Sequence, residues 1–327
     1  TSAPDFPSLD QDMNVDILIV GGGFVGIASA YTLINKGYKV AILEGNRILQ
    51  GVTAHSTAKV TSQHGLIYDK IHTQMGKELA RQYADANQYA IQEIKRIADK
   101  HNIDCDYFDE PAFIYTQQDK YLKKFEDEVK IATKLGIKAS LVDTIPFNLP
   151  IKAAIRFNDQ ARFHPLKFAL GIAKYIVEQG AWIFENSRAV NIEEDKGYVV
   201  TTTQGKKITA EKVIIASHYP FYNKQGMYFA RIYSERAYAI GIKAKEKFPG
   251  GMYINADDPA RSLRNQNIDD GKGELIIVAG EHHKTGQGRS TIEHYEALVD
   301  FANGLFTVED IPYRWSTQDC MTLDGVP

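Results

Sequence analysis

Apolar residues gather into short runs separated by glycine, proline and charged stretches, and their spacing changes along the chain. Residues 17–20 are uninterrupted apolar and predict a buried strand. Residues 26–36 repeat at helical spacing, with Ala28, Ser29 and Ala30 where a helix would lie close against a sheet. Residues 38–43 form a second apolar run. Strand, helix and strand in that order predict a β-α-β unit and a parallel sheet. Residues 69–101 read as a charged amphipathic helix broken near Gly76. "FDEPAFIYTQ" reads as a strand, and "DKYLKKFEDEVKIATKLGI" as a helix closed by Gly136. "AAIRFNDQARFHP" predicts a strand and turn. A helix follows from Pro165 to Gly180, with proline suited to its first turn.

The later half is richer in strands. "AWIFENSRAVNIEED", "GYVVTTTQG" and "KKITAEKVIIAS" predict three, the last two joined by a hairpin-like turn at Gln204-Gly205. "ERAYAIGIKA", "GGMYINAD", "ARSLRNQ" and "GELIIVAGE" predict a second β-rich block, and a helix is expected over residues 290–306. No repeat or low-complexity segment is visible. This interleaving predicts two domains, each built from non-contiguous segments.

The first strand runs into Gly21, Gly23 and Gly26, the spacing G-x-G-x-x-G. The first glycine permits the tight turn, the second lets backbone approach a pyrophosphate, and the third lets helix pack on strand. Phe24 and Val25 open the helix, whose free N–H groups favour phosphate. Glu44 ends the second strand and is followed by Gly45. A carboxylate there accepts hydrogen bonds from ribose hydroxyls and repels a 2′-phosphate, which disfavours NADP. The motif alone leaves FAD and NAD open. No second complete fingerprint is found: Gly286 and Gly288 in "KTGQGRST" have no surrounding β-α-β unit.

Composition narrows the classes. The chain has 327 residues, 44% hydrophobic and 24% charged, with a net charge of -3. That is an ordinary globular balance, with no sign of a nucleic-acid or membrane-surface partner. The apolar runs are of strand length, too short to span a bilayer. Two distant cysteines, Cys105 and Cys320, exclude a disulfide scaffold or a cysteine-rich metal site. They fit a reducing cytoplasm, and the polar, acidic first residues do not read as a secretory leader.

Together these features resemble the D-amino-acid oxidase and glycine oxidase superfamily of FAD-dependent oxidoreductases. The fingerprint is joined by "GVTAHSTAKVTSQHG" at the place of that superfamily's flavin-side loop. "SRAVNIEED" is similar to its adenine-contacting strand, with Val190 at the matching position. "KVIIASHYPF" matches a strand usually ending in Ala-Thr-Gly, and here reads Ala216-Ser217-His218. "YRWSTQDCMTLDGVP" is similar to its Trp…Thr-x-Asp-Gly-x-Pro segment. "TAKVTSQHGLIYD", "DQARFHPLKFA" and "EHHKTGQG" point to a bacterial branch that carries a C-terminal Rieske [2Fe-2S] domain. Such a cluster needs Cys-x-His and Cys-x-x-His pairs, and this chain has neither. The branch implies that the Rieske domain, and the last strand and helix of the FAD domain, lie beyond Pro327 or are missing.

The resemblance implies a Rossmann-like, glutathione-reductase-like FAD domain in an α/β fold, with an interleaved α+β substrate domain on a mainly antiparallel sheet. The expected FAD segments are 1–77, 153–222 and 308–327, and the expected substrate segments 78–152 and 223–307. It also implies FAD as cofactor, a small amine or amino acid as substrate, hydride transfer to flavin N5, and oxygen or a Rieske cluster as electron acceptor. The rival reading is a non-catalytic flavoprotein or electron-relay module. His55, Ser56, Thr57, Ala58 and Lys59 of the flavin-side loop would face the pyrophosphate or ring, and Lys59 would stabilise charge on it. His164, before its helix, would face the flavin. Arg261 and Arg264 are candidates to clamp a substrate carboxylate, and Tyr253 to reach the substrate. His282 and His283 are adjacent on an expected strand, so they point to opposite faces and do not form a metal pair.

Overall fold

A computed structural model describes residues 4–223, 226–268 and 273–326. Residues 1–3 of the first expected FAD segment, residues 224–225 and 269–272 of the second substrate segment, and Pro327 lie outside them.

The apolar run of residues 17–20 belongs to the strand Met13–Val20. It pairs in parallel with Val40–Leu43 and with Lys207–Ile215. Trp182–Phe184 extends the parallel set beyond Val40–Leu43. The other edge is an antiparallel meander, Ala189–Glu194, Tyr198–Thr202 and Lys207–Ile215, so the expected turn at Gln204-Gly205 is present. Leu18, Ile19, Val40, Ala41 and Ile42 are buried from both sides, as continuous apolar strands of a covered parallel sheet should be. The helices Phe24–Ile34 and Pro165–Glu178 share a core with Ile19, Val40 and Ile42 on one face. Leu18, Ala41 and Leu43 pack with Ile192, Val200 and Ile208 on the other.

The long helical stretch divides where expected. Gly76 has φ of +91° and separates Tyr68–Met75 from Lys77–Lys100. The short helix is anchored from afar. Its first backbone N–H groups, at Ile67, Tyr68 and Asp69, donate at 2.9 to 3.0 Å to the buried carboxylate of Glu128. Glu128 sits on the helix Leu122–Lys134.

Two expected strands each divide in two. "FDEPAFIYTQ" breaks at Pro111, which has no N–H for a ladder, into Phe108–Asp109 and Ala112–Thr116. "AAIRFNDQARFHP" breaks into Ala153–Phe157 and Ala161–Arg162. The pieces join different sheets. Lys59–Val60, Ala161–Arg162 and Phe108–Asp109 form a three-stranded sheet.

An eight-stranded sheet takes the rest. Its order is Val308–Thr322, Ile232–Ala244, Glu274–Lys284, Arg261–Asn267, Met252–Asn255, Ala112–Thr116, Ala153–Phe157 and Ala139–Val142. Every pairing is antiparallel except Met252–Asn255 with Ala112–Thr116. Ala153–Phe157 and Val308–Thr322 come from segments expected above on the FAD side. The helix Thr291–Asn303, capped by Ser290 and Glu293, packs on one face with Tyr238, Ile240 and Val278. Among the described residues, no helix is long and apolar enough to cross a membrane.

Candidate active site

The glycine loop sits at the C-terminal ends of the parallel strands, where open α/β sheets bind ligands. A cleft of about 1230 Å³ begins there. A Cβ at Gly26 would overlap the carbonyl oxygen of Gly21, so that position is fixed by helix-on-strand packing. A Cβ at Gly23 would meet nothing closer than Thr53 Oγ1 at 3.7 Å, so its bareness leaves room in the cleft itself. The helix that begins at Phe24 has neither a side-chain cap nor an acid in its first turn. Its positive end faces the cleft. Phe24 N donates to Thr53 Oγ1 at 3.0 Å, which ties the loop to the next element, the short helix Val52–His55.

Of the sequence-predicted cofactor residues, Gly21, Gly23, Phe24, Val25, Glu44, Gly45, Ser56, Ala58, Lys59, Ala216 and Ser217 line this cleft. Glu44 also orders it: Oε2 accepts from Gly22 N at 2.8 Å and Oε1 from Asn46 N at 2.9 Å. Gly26 lies beneath. Val190 is half exposed, while its neighbours Arg188 and Ala189 line the cleft. His55 and Thr57 are not on the lining. The His55 ring bonds Gly51 O at 2.8 Å, and its own carbonyl accepts from Trp315 Nε1 at 2.9 Å. The Thr57 hydroxyl lies 3.4 Å from Lys59 Nζ.

Lys59 lines the cleft and reaches across to the large sheet, donating to Ser262 Oγ at 2.9 Å. The strand Arg261–Asn267 alternates its side chains. Ser262, Arg264 and Gln266 turn toward Lys59, and Leu263 joins the core under the helix Thr291–Asn303. Arg264 is buried, its Nη1 donating to Asn265 O and Gln266 Oε1, both at 3.0 Å. Arg162 is buried as well, its guanidinium 4.2 Å from the Phe108 ring and 3.2 Å from Glu110 Oε1. Arg162 Nη1 and Arg264 Nε are buried with no hydrogen-bond partner. Burial, and then the neighbouring Arg162 charge, lower the Arg264 pKa to about 9. Burial of its Nζ, and then Arg264, bring Lys59 to about 7.

Three predicted catalytic residues are not brought to this cluster. Arg261 is on the opposite strand face, where it binds Glu281 Oε1 at 2.6 Å and lies over the Phe301 ring. Tyr253 shares that face, stacks on Phe113 and donates to Gly250 O at 2.8 Å. His164 caps the helix Pro165–Glu178, its Nδ1 accepting from Lys167 N at 3.4 Å. His282 is exposed. His283 bonds Tyr238 Oη at 3.0 Å and stacks on His294. Sequence reasoning missed Thr53, Arg162, Arg188 and Ser262. Period-2 alternation would have paired Ser262 with Arg264, but Arg162 became visible only through sheet pairing with Lys59.

The profile of the FAD dependent oxidoreductase family DAO matches residues 16–327. The chain belongs to that family. It is a flavoprotein family of oxidoreductases, and FAD is its cofactor. A relative from Bacillus subtilis (strain 168), named "Putative Rieske 2Fe-2S iron-sulfur protein YhfW", is 41% identical over 327 residues. That match covers 100% of this chain but 64% of YhfW. Gamma-glutamylputrescine oxidoreductase of Escherichia coli (strain K12) is 27% identical over 219 residues, covering 65% of this chain and 51% of that protein. The chain thus spans less than two thirds of the length of these relatives. Among solved structures, L-proline dehydrogenase from P. horikoshii shares the fold, with a TM-score of 0.77 at 17% identity over 98% of this chain and 84% of that one.

The cleft fits the family's cofactor. It joins a bare glycine cradle, a helix N-terminus and a strand-end carboxylate, which is the donor and acceptor set an adenine dinucleotide requires.

Proposed function

We propose that the protein oxidises a small amine or amino acid by hydride transfer to flavin N5. Gly21, Gly23, Phe24 and Val25 hold the pyrophosphate, with Gly26 keeping the helix close. Glu44 and Gly45 take the ribose, and Ala189 and Val190 the adenine. Ser56, Ala58, Lys59, Ala216 and Ser217 flank the rest of the cofactor, with His55 and Thr57 shaping the loop that carries them. When bound, FAD supplies the two-electron acceptor. Arg264 holds a substrate carboxylate, its unpartnered Nε–H being a donor already desolvated and fixed. The observation that carries this reading is that Lys59 lines the cleft and also touches the strand that bears Arg264.

The names of the relatives support the substrate class: one is an oxidoreductase of an amine, and a fold neighbour is a dehydrogenase of proline. The electrons then pass to oxygen or to a Rieske [2Fe-2S] cluster, the second supported by the likeness to YhfW. The test is anaerobic mixing of the FAD-loaded protein with amines and amino acids. Loss of flavin absorbance near about 450 nm is expected. No loss with any member of the panel would favour an electron-relay flavoprotein instead.

A further inference from the structure

We propose that Lys59 is the proton acceptor for the substrate's ammonium group, held as a neutral amine by its place opposite Arg162 and beside Arg264. This rests on the amine-oxidising reading above and adds a step to it.

The placement follows from pairing. Lys59 and Arg162 stand directly opposite in the antiparallel pair of Lys59–Val60 with Ala161–Arg162, so their side chains leave the same sheet face. Arg264 comes to that face from the large sheet, beside Ser262. Three basic side chains therefore meet where two sheets face each other. The neighbouring acids are already engaged. Glu110 lies 3.2 Å from Arg162, and Asp106 binds Lys167 at 3.1 Å and Gln266 at 3.2 Å. The long helix lines the cleft with Asn87, Ala90, Ile91 and Ile94, which carry no charge. Among the described residues Lys59 has no carboxylate within ion-pair distance; its partners are the hydroxyls of Ser262 at 2.9 Å and Thr57 at 3.4 Å.

An ammonium among guanidinium groups and without an acid is disfavoured. The neutral amine is not, because a hydroxyl can donate to its lone pair as readily as accept from its N–H. The direction of the Lys59 shift agrees. The chemistry needs such a group. Near pH 7 an aliphatic amine is almost wholly ammonium, and an ammonium nitrogen has no lone pair to assist loss of hydride from the adjacent carbon. In the proposed step one substrate N–H bond breaks and one Lys59 Nζ–H bond forms, with no change in oxidation state. Bound FAD would then supply the acceptor for the α-hydrogen and its electron pair. An anion held at Arg264 lowers the local positive potential and makes the arriving proton acceptable to Nζ.

Two measurements on the FAD-loaded protein test this. The first is trace acetylation with acetic anhydride across pH, read by mass spectrometry. Lys59 should reach half-maximal reactivity near pH 7, well below the ordinary lysine value of about 10.4. Titration of Lys59 at that ordinary value overturns the proposal. The second is the pH profile of anaerobic flavin reduction by glycine, L-proline and putrescine. Lys59→Met should slow reduction by about 10²-fold at pH 7.5, with the rate recovering as pH approaches the amine's own range near about 10. Lys59→Arg, which cannot give up its proton, should behave like Lys59→Met. Recovery at high pH separates loss of a proton acceptor from a damaged fold. If the amines reduce the wild type and the variants with one unchanged profile, the proposal fails and the amine-oxidising reading stands. If no amine reduces the wild type at any pH, that reading fails and the proposal falls with it.

Discussion

At the scale of single residues, Gly23 and Gly26 share a motif but do different jobs. Gly26→Ala forces a Cβ into the Gly21 carbonyl, and should lower unfolding free energy by about 3 kcal/mol in urea titration. Gly23→Ala has open space, so the FAD-free variant should unfold with the wild type while binding FAD at least about tenfold more weakly by fluorescence titration. Glu44→Arg should weaken FAD by about 10²-fold, and should also loosen the loop, because Glu44 accepts from Gly22 and Asn46. Lys59 gives a signed pH dependence. Its folded value, about 7, is below the ordinary 10.5. Between these values the unfolded chain binds more protons, so stability rises with pH across that window. The urea midpoint of the FAD-free protein should climb from pH 7 to pH 9, and Lys59→Met should lose that part of the rise. The glycines and Glu44 were legible because a local motif carries them. Arg261 and Arg264 were not separable by residue type. Arg261 is taken up by Glu281, whose φ of +56° places it out of ordinary strand alternation, and no feature of "AGEHH" announces that kink.

At the scale of elements, helices were legible and some strands were not. Gly76, Pro165 and the Ser290–Glu293 box mark helix ends through local chemistry. The strands around Pro111 and Asp159 are joined in sequence but belong to different sheets, and apolar periodicity says nothing about which sheet a strand joins. The cap on Tyr68–Met75 was invisible for the same reason, since Glu128 is far along the chain and reads as one charge among many on its helix. Glu128→Gln turns one acceptor oxygen into an N–H₂ that faces backbone donors. It should cost about 2 kcal/mol in global stability. Its hydrogen exchange should speed up first at Ile67, Tyr68 and Asp69, and a uniform effect across the chain would argue against a local cap.

At the scale of the whole molecule, a cleft between distant segments means that cofactor and fold support each other. Saturating FAD at about 100 times its Kd adds about 2.7 kcal/mol, so its removal should lower the thermal midpoint by about 5 °C in a calorimetric scan. Lys207–Ile215 and Trp182–Phe184 join the parallel sheet from far along the chain, but its central pair, Met13–Val20 with Val40–Leu43, was legible because a single helix separates them. The large sheet was not, because Ala112–Thr116 lies beside Met252–Asn255 and nothing in either sequence names the other. That junction also sets an order of assembly. During synthesis from the N-terminus, all six strands of the nucleotide sheet exist once Lys207–Ile215 has emerged. At that moment Ala112–Thr116 has Ala153–Phe157 on one side and an open edge on the other. At about 5–20 residues per second, that edge waits about 2–8 seconds more for Met252–Asn255. An apolar edge left open is a template for the wrong strand, so the nascent chain is most vulnerable to mispairing in the interval between completing the cofactor's sheet and closing the substrate's.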